Sequence, residues 1–271
     1  METFRHLGRR AFRAGRWEQG NRALPTEVPV ALVYNGTTQA VMMATPARLE
    51  EFAVGFSLTE QIITNPSEIR EIETVETDKG IELRIWLDAG AETRFQARRR
   101  AQVGPVGCGL CGIDSLTEAL RPLPGVSAGI SLHPSDIADA MSALSLHQAL
   151  HDATRAAHAA GFFVPGQGMV HAAEDVGRHN ALDKLAGMLA RAGVSPASGI
   201  IVITSRVSVD MVQKAAVIGA PVLVAASAPT ALAVEQAEVA GLTLIAIARG
   251  TDFEIFTHSE RLSQGPNADV A

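Results

Sequence analysis

Apolar and polar positions change period twice along this chain. From Val28 to Tyr34 the residues favour β-structure, Asn35-Gly36 is the dipeptide that tight hairpin turns prefer, and Thr38 to Ala44 returns as a second strand. Thr45-Pro46 then places a capping residue before a proline at the first helical position. Leu49, Phe52, Ala53 and Phe56 recur at helical spacing, which predicts a helix with one buried face. Its glutamates Glu50, Glu51 and Glu60 read as surface residues. From Ile69 strands resume: Asp78-Lys79-Gly80 makes a turn, and Ile81, Leu83, Ile85 and Leu87 alternate with polar neighbours. Strands and one helix without regular alternation predict a small α+β unit.

Beyond Leu120 the period changes. Pro122, Pro124 and Gly125 interrupt the chain, and Pro134 opens a helix with Ile137, Ala140, Met141 and Leu144 on one face. Three short apolar runs follow, Ile200 to Thr204, Pro221 to Ala226 and Leu242 to Ala248, each preceded by a helix-periodic segment. This predicts the α/β class, a largely parallel sheet with helices on both faces. In such sheets ligands sit at the carboxyl ends of strands, where the next helix offers free N–H groups. Three turns stand there: Glu174 to Asn180, Thr204 to Ser208, and Ser227 to Thr230. Each alone reads as ordinary capping by Ser, Thr or Asp. Together, with Arg178, His179, Ser205, Arg206 and Lys214 among them or nearby, they predict an anion pocket. His147, His151 and His158 lack an acidic companion motif and read as polar helix positions rather than as metal ligands.

Composition narrows the picture. The 271 residues are 47% hydrophobic and 19% charged, enough for one large domain or two small ones. A formal net charge of −6 argues against a general nucleic-acid binder. No apolar run reaches membrane-spanning length. Arg5, Arg9, Arg10, Arg13, Arg16 and Arg22 are followed by no apolar signal core, so the start reads as a solvated tail and the protein as cytoplasmic.

Both cysteines fall in Gly104-Pro105-Val106-Gly107-Cys108-Gly109-Leu110-Cys111-Gly112. Flanking glycines leave the thiols open to another molecule. Ser115-Leu116-Thr117-Glu118 has capping-box spacing, which predicts a helix whose positive end favours a thiolate, and Arg98, Arg99 and Arg100 add charge if the strand expected to carry them folds alongside. Structural zinc needs two further ligands at suitable spacing, and no second cysteine pair exists. A structural disulfide suits an oxidising compartment. Thiol chemistry is left, either dithiol exchange or carriage of sulfur as a persulfide.

These motifs, GCGLCG, EDVGRHNALDKLAG, TPARLEEFAVGFSLTE and the long run from Thr204 to Gly250, closely resemble the FdhD family of formate dehydrogenase accessory sulfurtransferases from about Glu27 to Thr257. The resemblance implies a flexible Arg-rich start over 1–24, an α+β domain over 25–120 ending in the cysteine loop, a three-layer cytidine-deaminase-like domain over 121–258, and a disordered tail over 259–271, usually in a homodimer. It implies that sulfur from a cysteine desulfurase rests as a persulfide and passes to a molybdenum or tungsten bis-pterin guanine dinucleotide cofactor destined for formate dehydrogenase. The molybdenum cofactor is then a bound substrate, GDP its analogue, and no structural metal is expected. Matched residue by residue, Cys108 takes the persulfide position and Cys111 that of the second thiol. Ile247, Ala248, Arg249, Gly250, Thr251 and Asp252 take the cofactor-binding segment. The chain departs from the family pattern at Thr154-Arg155-Ala156-Ala157-His158, where two glycines are usual, at Asp210, where glutamate is expected, and at Glu254, where asparagine is. Zinc-dependent deamination is disfavoured because Gly107 precedes the cysteine pair and His171-Ala172-Ala173-Glu174 has the wrong spacing. A dithiol oxidoreductase and a non-catalytic cofactor chaperone are the remaining alternatives.

Overall fold

The computed structural model describes residues 1–101, 123–126 and 129–263. Cys108, Cys111 and the helix predicted from Ser115 lie outside the described residues.

The chain opens with a correction. The arginine-rich start, expected as a flexible solvated tail, folds as an antiparallel hairpin of β1 (Phe4–Arg13) and β2 (Arg16–Pro25). Its two-residue turn puts Ala14 at φ 45° and Gly15 at φ 78°, the geometry that matches the twist of paired strands. Asn35 and Gly36 do the same between β3 (Val28–Tyr34) and β4 (Thr37–Ala44), as their sequence predicts. The first hairpin stands as a two-stranded sheet, and Arg22 anchors it by donating to the Thr154 carbonyl at 3.2 Å.

The α+β unit is a four-stranded sheet in the order β4-β3-β6-β5, with β5 (Ile69–Thr77) and β6 (Gly80–Leu87) antiparallel and β3 and β6 parallel. Helix α1 (Leu49–Thr59) supplies the crossover that a parallel pair requires. Val30, Leu32, Tyr34, Leu83 and Ile85 meet Phe52 and Phe56 in its core. Arg98 to Arg100 belong to helix α2 (Ala89–Ala101), not to a strand.

Helix α3 (Pro134–Ser145) begins where Pro134 predicts it, with a reciprocal capping box between His133 and Asp136. After α4 (Ala149–Thr154) comes a six-stranded sheet in the order β12-β11-β10-β9-β7-β8. Its parallel centre is β9 (Ile200–Ile203), β10 (Val222–Ala225) and β11 (Thr243–Arg249). The expected largely parallel sheet is more mixed than predicted: β7 (His158–Val164) runs against both β8 (Gly168–Asp175) and β9, and β12 (Asp252–Ile255) against β11. Helices α5 (Arg178–Ala192), α6 (Val209–Ile218) and α7 (Ala231–Ala240) cover one face, and α3 covers the other. The expected tail also starts later, because Ser259–Arg261 form a helical turn and Leu262 is buried in a bridge to Leu132. No helix among the described residues is long and apolar enough to cross a membrane.

The two sheets are joined through α1 and α5, which touch at glycines. A Cβ on Gly55 would lie 1.7 Å from the Asp183 carbonyl oxygen, and one on Gly187 would lie 1.9 Å from that of Glu51. Backbone meets backbone there, and any larger residue forces the helices apart.

Candidate functional site

Segment 174–184 carries a dense run of polar side chains, and the structure divides it between two jobs. Most of it closes the seam between the sheets. Asp175 is wholly buried: one carboxylate oxygen accepts from the Thr45 amide at 3.0 Å and from Lys184 Nζ at 2.6 Å, and the other from the Gly177 amide at 2.8 Å and Asn180 Nδ2 at 2.9 Å. Lys184 also donates to the Thr45 carbonyl at 2.9 Å, and Asn180 to that of Met43 at 2.8 Å. Burial pulls the Lys184 ammonium below its ordinary range, with Asp175 opposing. Further along the same helix, Asp183 accepts from Thr59 Oγ1 at 2.6 Å and from Lys214 Nζ at 2.9 Å. Lys214 completes its shell with Thr59 at 3.0 Å and Glu60 at 2.9 Å. Burial works against charge on Lys214, but Asp183 and Glu60 more than offset it and raise its pKa above the usual value. Buried charges persist only when paired and hydrogen-bonded in this way.

Two expectations change as a result. Lys214, predicted as an anion ligand, is spent on the seam, and Glu60, expected at the surface, is one of its partners. Neither fact was visible in local sequence, because both depend on α1 packing against α5 and α6.

The other part of the segment opens on the sheet edge. Since β7 is antiparallel to both β8 and β9, the carboxyl ends of β8, β9, β10 and β11 share one edge. Arg178 and His179 follow β8, Ser205 to Ser208 follow β9, Ser227 to Thr230 follow β10, and Ile247 to Asp252 close β11 into β12. The turns are zipped together: the Ala159 amide donates to Thr204 Oγ1 at 3.0 Å, Val207 to the Ala228 carbonyl at 3.2 Å, and Thr230 to the Val207 carbonyl at 2.9 Å. Thr230 caps α7 through its side chain, whereas neither Gly177 nor Ser208 caps α5 or α6 with a side-chain hydrogen bond. Arg178 Nε and Ser208 Oγ are buried without a hydrogen-bond partner among the described residues. Buried polar atoms of this kind require an explanation, and a bound anion would supply one.

The predicted residues differ in what they offer. Arg206 and Arg249 are exposed, and Arg178 and His179 are part-buried. Ser205 is buried, donates to the Arg206 carbonyl at 3.0 Å and faces away from a ligand role. Ala248 packs in the core, so only its backbone is on offer. Ile247 holds φ at 55°, a left-handed conformation that is a genuine outlier for a β-branched residue, within the irregular register between β11 and β12. That bend, continued by Gly250 at φ 60°, brings Arg249, Gly250, Thr251 and Asp252 to the surface.

His158, read from the sequence as a polar helix position, lies in a strand. It begins β7 opposite Asp175 in the register, and burial, then Arg178 and His151, hold its imidazole below the ordinary range. Arg155, in the stretch expected to depart from the family pattern, stands at φ 58° after α4.

A protein-family model described as the FdhD/NarQ family matches residues 25–263. The chain is 53% identical over 261 residues to a sulfur carrier protein FdhD of Agrobacterium fabrum, covering 96% of each chain. It is 52% identical over 253 residues to that of Brucella abortus, covering 93% of this chain and 94% of the relative. Its fold is similar, at a TM-score of 0.78 and 25% identity, to a crystal structure from Desulfotalea psychrophila assigned as a formate dehydrogenase accessory protein, covering 97% of this chain and 100% of the other.

Proposed function

The chain belongs to the FdhD/NarQ family, and from that premise we propose that it is a sulfur carrier in formate dehydrogenase maturation that receives persulfide sulfur on Cys108. The observation that carries this reading is the full-length similarity to proteins named as sulfur carriers. The sheet with α5, α6 and α7 on one face and α3 on the other supports a cytidine-deaminase-like layering for the C-terminal unit. In this reading the protein works in the cytoplasm as a homodimer.

The Cys108 thiolate attacks the terminal sulfur of a cysteine desulfurase persulfide. A new sulfur–sulfur bond forms on Cys108, the old one breaks, and the desulfurase thiolate leaves. The sulfur is released at the sulfide level when the Cys111 thiolate attacks Cys108 Sγ, which forms a disulfide and supplies the two electrons; a dithiol reductant then restores the pair. The acceptor is the molybdenum or tungsten of a bis-pterin guanine dinucleotide, which is the substrate of the transfer. Its phosphates are held at the strand-end edge by Arg178, Arg206 and Arg249, and by the backbone of Gly250 and Thr251. Arginine suits this task because its planar donors match phosphate oxygens.

Mass spectrometry after incubation with a desulfurase and cysteine tests the assignment. One added sulfur is expected on the native chain and on Cys111→Ala, and none on Cys108→Ala. Equal loading of Cys108→Ala overturns it.

A further inference from the structure

Within segment 174–184 Glu174 caps α4 by accepting from the Leu150 and His151 amides at 2.8 and 2.7 Å, and Asp175, Asn180, Asp183 and Lys184 close the seam. Arg178 and His179 are left for the edge. The His179 ring is bonded through Nε2 to the carboxylate of Asp210. Both residues sit on the first turns of neighbouring helices, α5 and α6, whose N-termini open on the strand-end edge. A carboxylate there is favoured by the helix dipole. With Nε2 engaged, only Nδ1 is left to meet a ligand, so the pair fixes how the ring is presented. Side-chain exposure is 22% for His179 and 12% for Asp210, against 8% for Lys214 and 1% for Asp183, so this pair is shielded but within reach of solvent.

We infer that His179 is a proton-carrying contact for the phosphate of the bound nucleotide, and that Asp210 is its positioning residue. The inference rests on the strand-end edge being the nucleotide site. Four charged groups face the ring: Arg178 on its own helix, Asp210 and Lys214 on α6, and Glu60 at the end of α1. Burial, aided by the two cations, holds the imidazole below its ordinary range in the free protein, while Asp210 and Glu60 pull the other way. A phosphate beside the ring shifts that balance towards imidazolium, and binding takes up a proton. The protonated form binds, so affinity falls as pH rises above the depressed pKa of the free ring, by at most about tenfold per pH unit for one linked proton. The aspartate that replaces the family's glutamate still reaches the ring.

Calorimetric titration with GDP in two buffers of different ionisation enthalpy counts the protons. The native chain is expected to take up close to one proton more per nucleotide than His179→Gln, the titration of GDP itself being common to both. Asp210→Asn keeps an acceptor without charge and is expected to lose most of the uptake and about tenfold in affinity at pH 6.5; Asp210→Glu is expected to restore both. Equal uptake by native and His179→Gln overturns the inference and leaves the nucleotide site standing. Failure of the native chain to bind GDP overturns the site and the inference with it. Should His179→Gln not fold, the His179 ring resonance of the native chain decides the matter, since a titration midpoint that GDP does not raise contradicts the inference.

Discussion

The seam between the two sheets and the edge of the larger one are built from the same residue types, often adjacent in sequence, and do opposite things with them. At the seam, Asp175, Asp183, Lys184 and Lys214 are buried and saturated with partners. At the edge, Arg206 and Arg249 are exposed and Arg178 keeps a buried nitrogen without a partner among the described residues. A charged motif therefore has no single meaning. At the seam the paired charges hold the fold; at the edge, a buried donor without a partner among the described residues is what the proposed nucleotide site would use.

Breaking the seam gives the largest effect. Asp183→Ala takes the buried counter-charge from Lys214 and leaves it only the part-exposed Glu60, and chemical denaturation is expected to show a loss of about 3 kcal/mol; a loss under about 1 kcal/mol would mean that the seam is not closed by charge. Gly187→Ala drives a methyl group into the Glu51 backbone and should cost about 1–3 kcal/mol in the same assay. An unchanged midpoint would show that α1 and α5 can separate at no cost. The edge should respond in binding rather than in stability. Arg249→Ala is expected to leave stability within about 0.5 kcal/mol and to weaken GDP binding by about tenfold or more, the worth of a charge-assisted hydrogen bond; unaltered affinity would remove residues 247–252 from the site. The smallest effect is expected at Arg155→Gly. It relieves a left-handed residue and gives up an exposed pair with Asp152, for a net gain of up to about 1 kcal/mol. A clear loss would give the Arg155 side chain a role of its own.

Much of this fold was legible. Asn35-Gly36 and Pro134 mark their turn and helix start, and the three apolar runs became β9, β10 and β11 nearly as read. Thr45-Pro46, however, does not open α1: the helix starts at Leu49 after Arg48, and Thr45 is spent on Asp175 and the Val176 amide. The first hairpin was not, because its arginines leave no alternating apolar face and Ala14-Gly15 lacks the asparagine that advertises the same turn. Strands β7 and β8 went unread beside the helix patterns, and with them the antiparallel half of the sheet. Gly55 and Gly187, each inside a helical pattern, are the sequence trace of the close α1–α5 approach. Of the site, Arg178, His179, Arg206 and the 247–252 segment reach the edge, whereas Lys214 and Ser205 turn inward. Only tertiary packing could separate those two groups.

The division between seam and edge is tested most directly on Arg178, which belongs to the same motif as Asp183 and lies within two turns of it. Calorimetric titration of Arg178→Ala with GDP, alongside its melting temperature, gives both readouts on one variant. The account predicts a loss of about tenfold or more in affinity with a melting temperature within about 2 °C of native. Native affinity for GDP in a folded Arg178→Ala would contradict it.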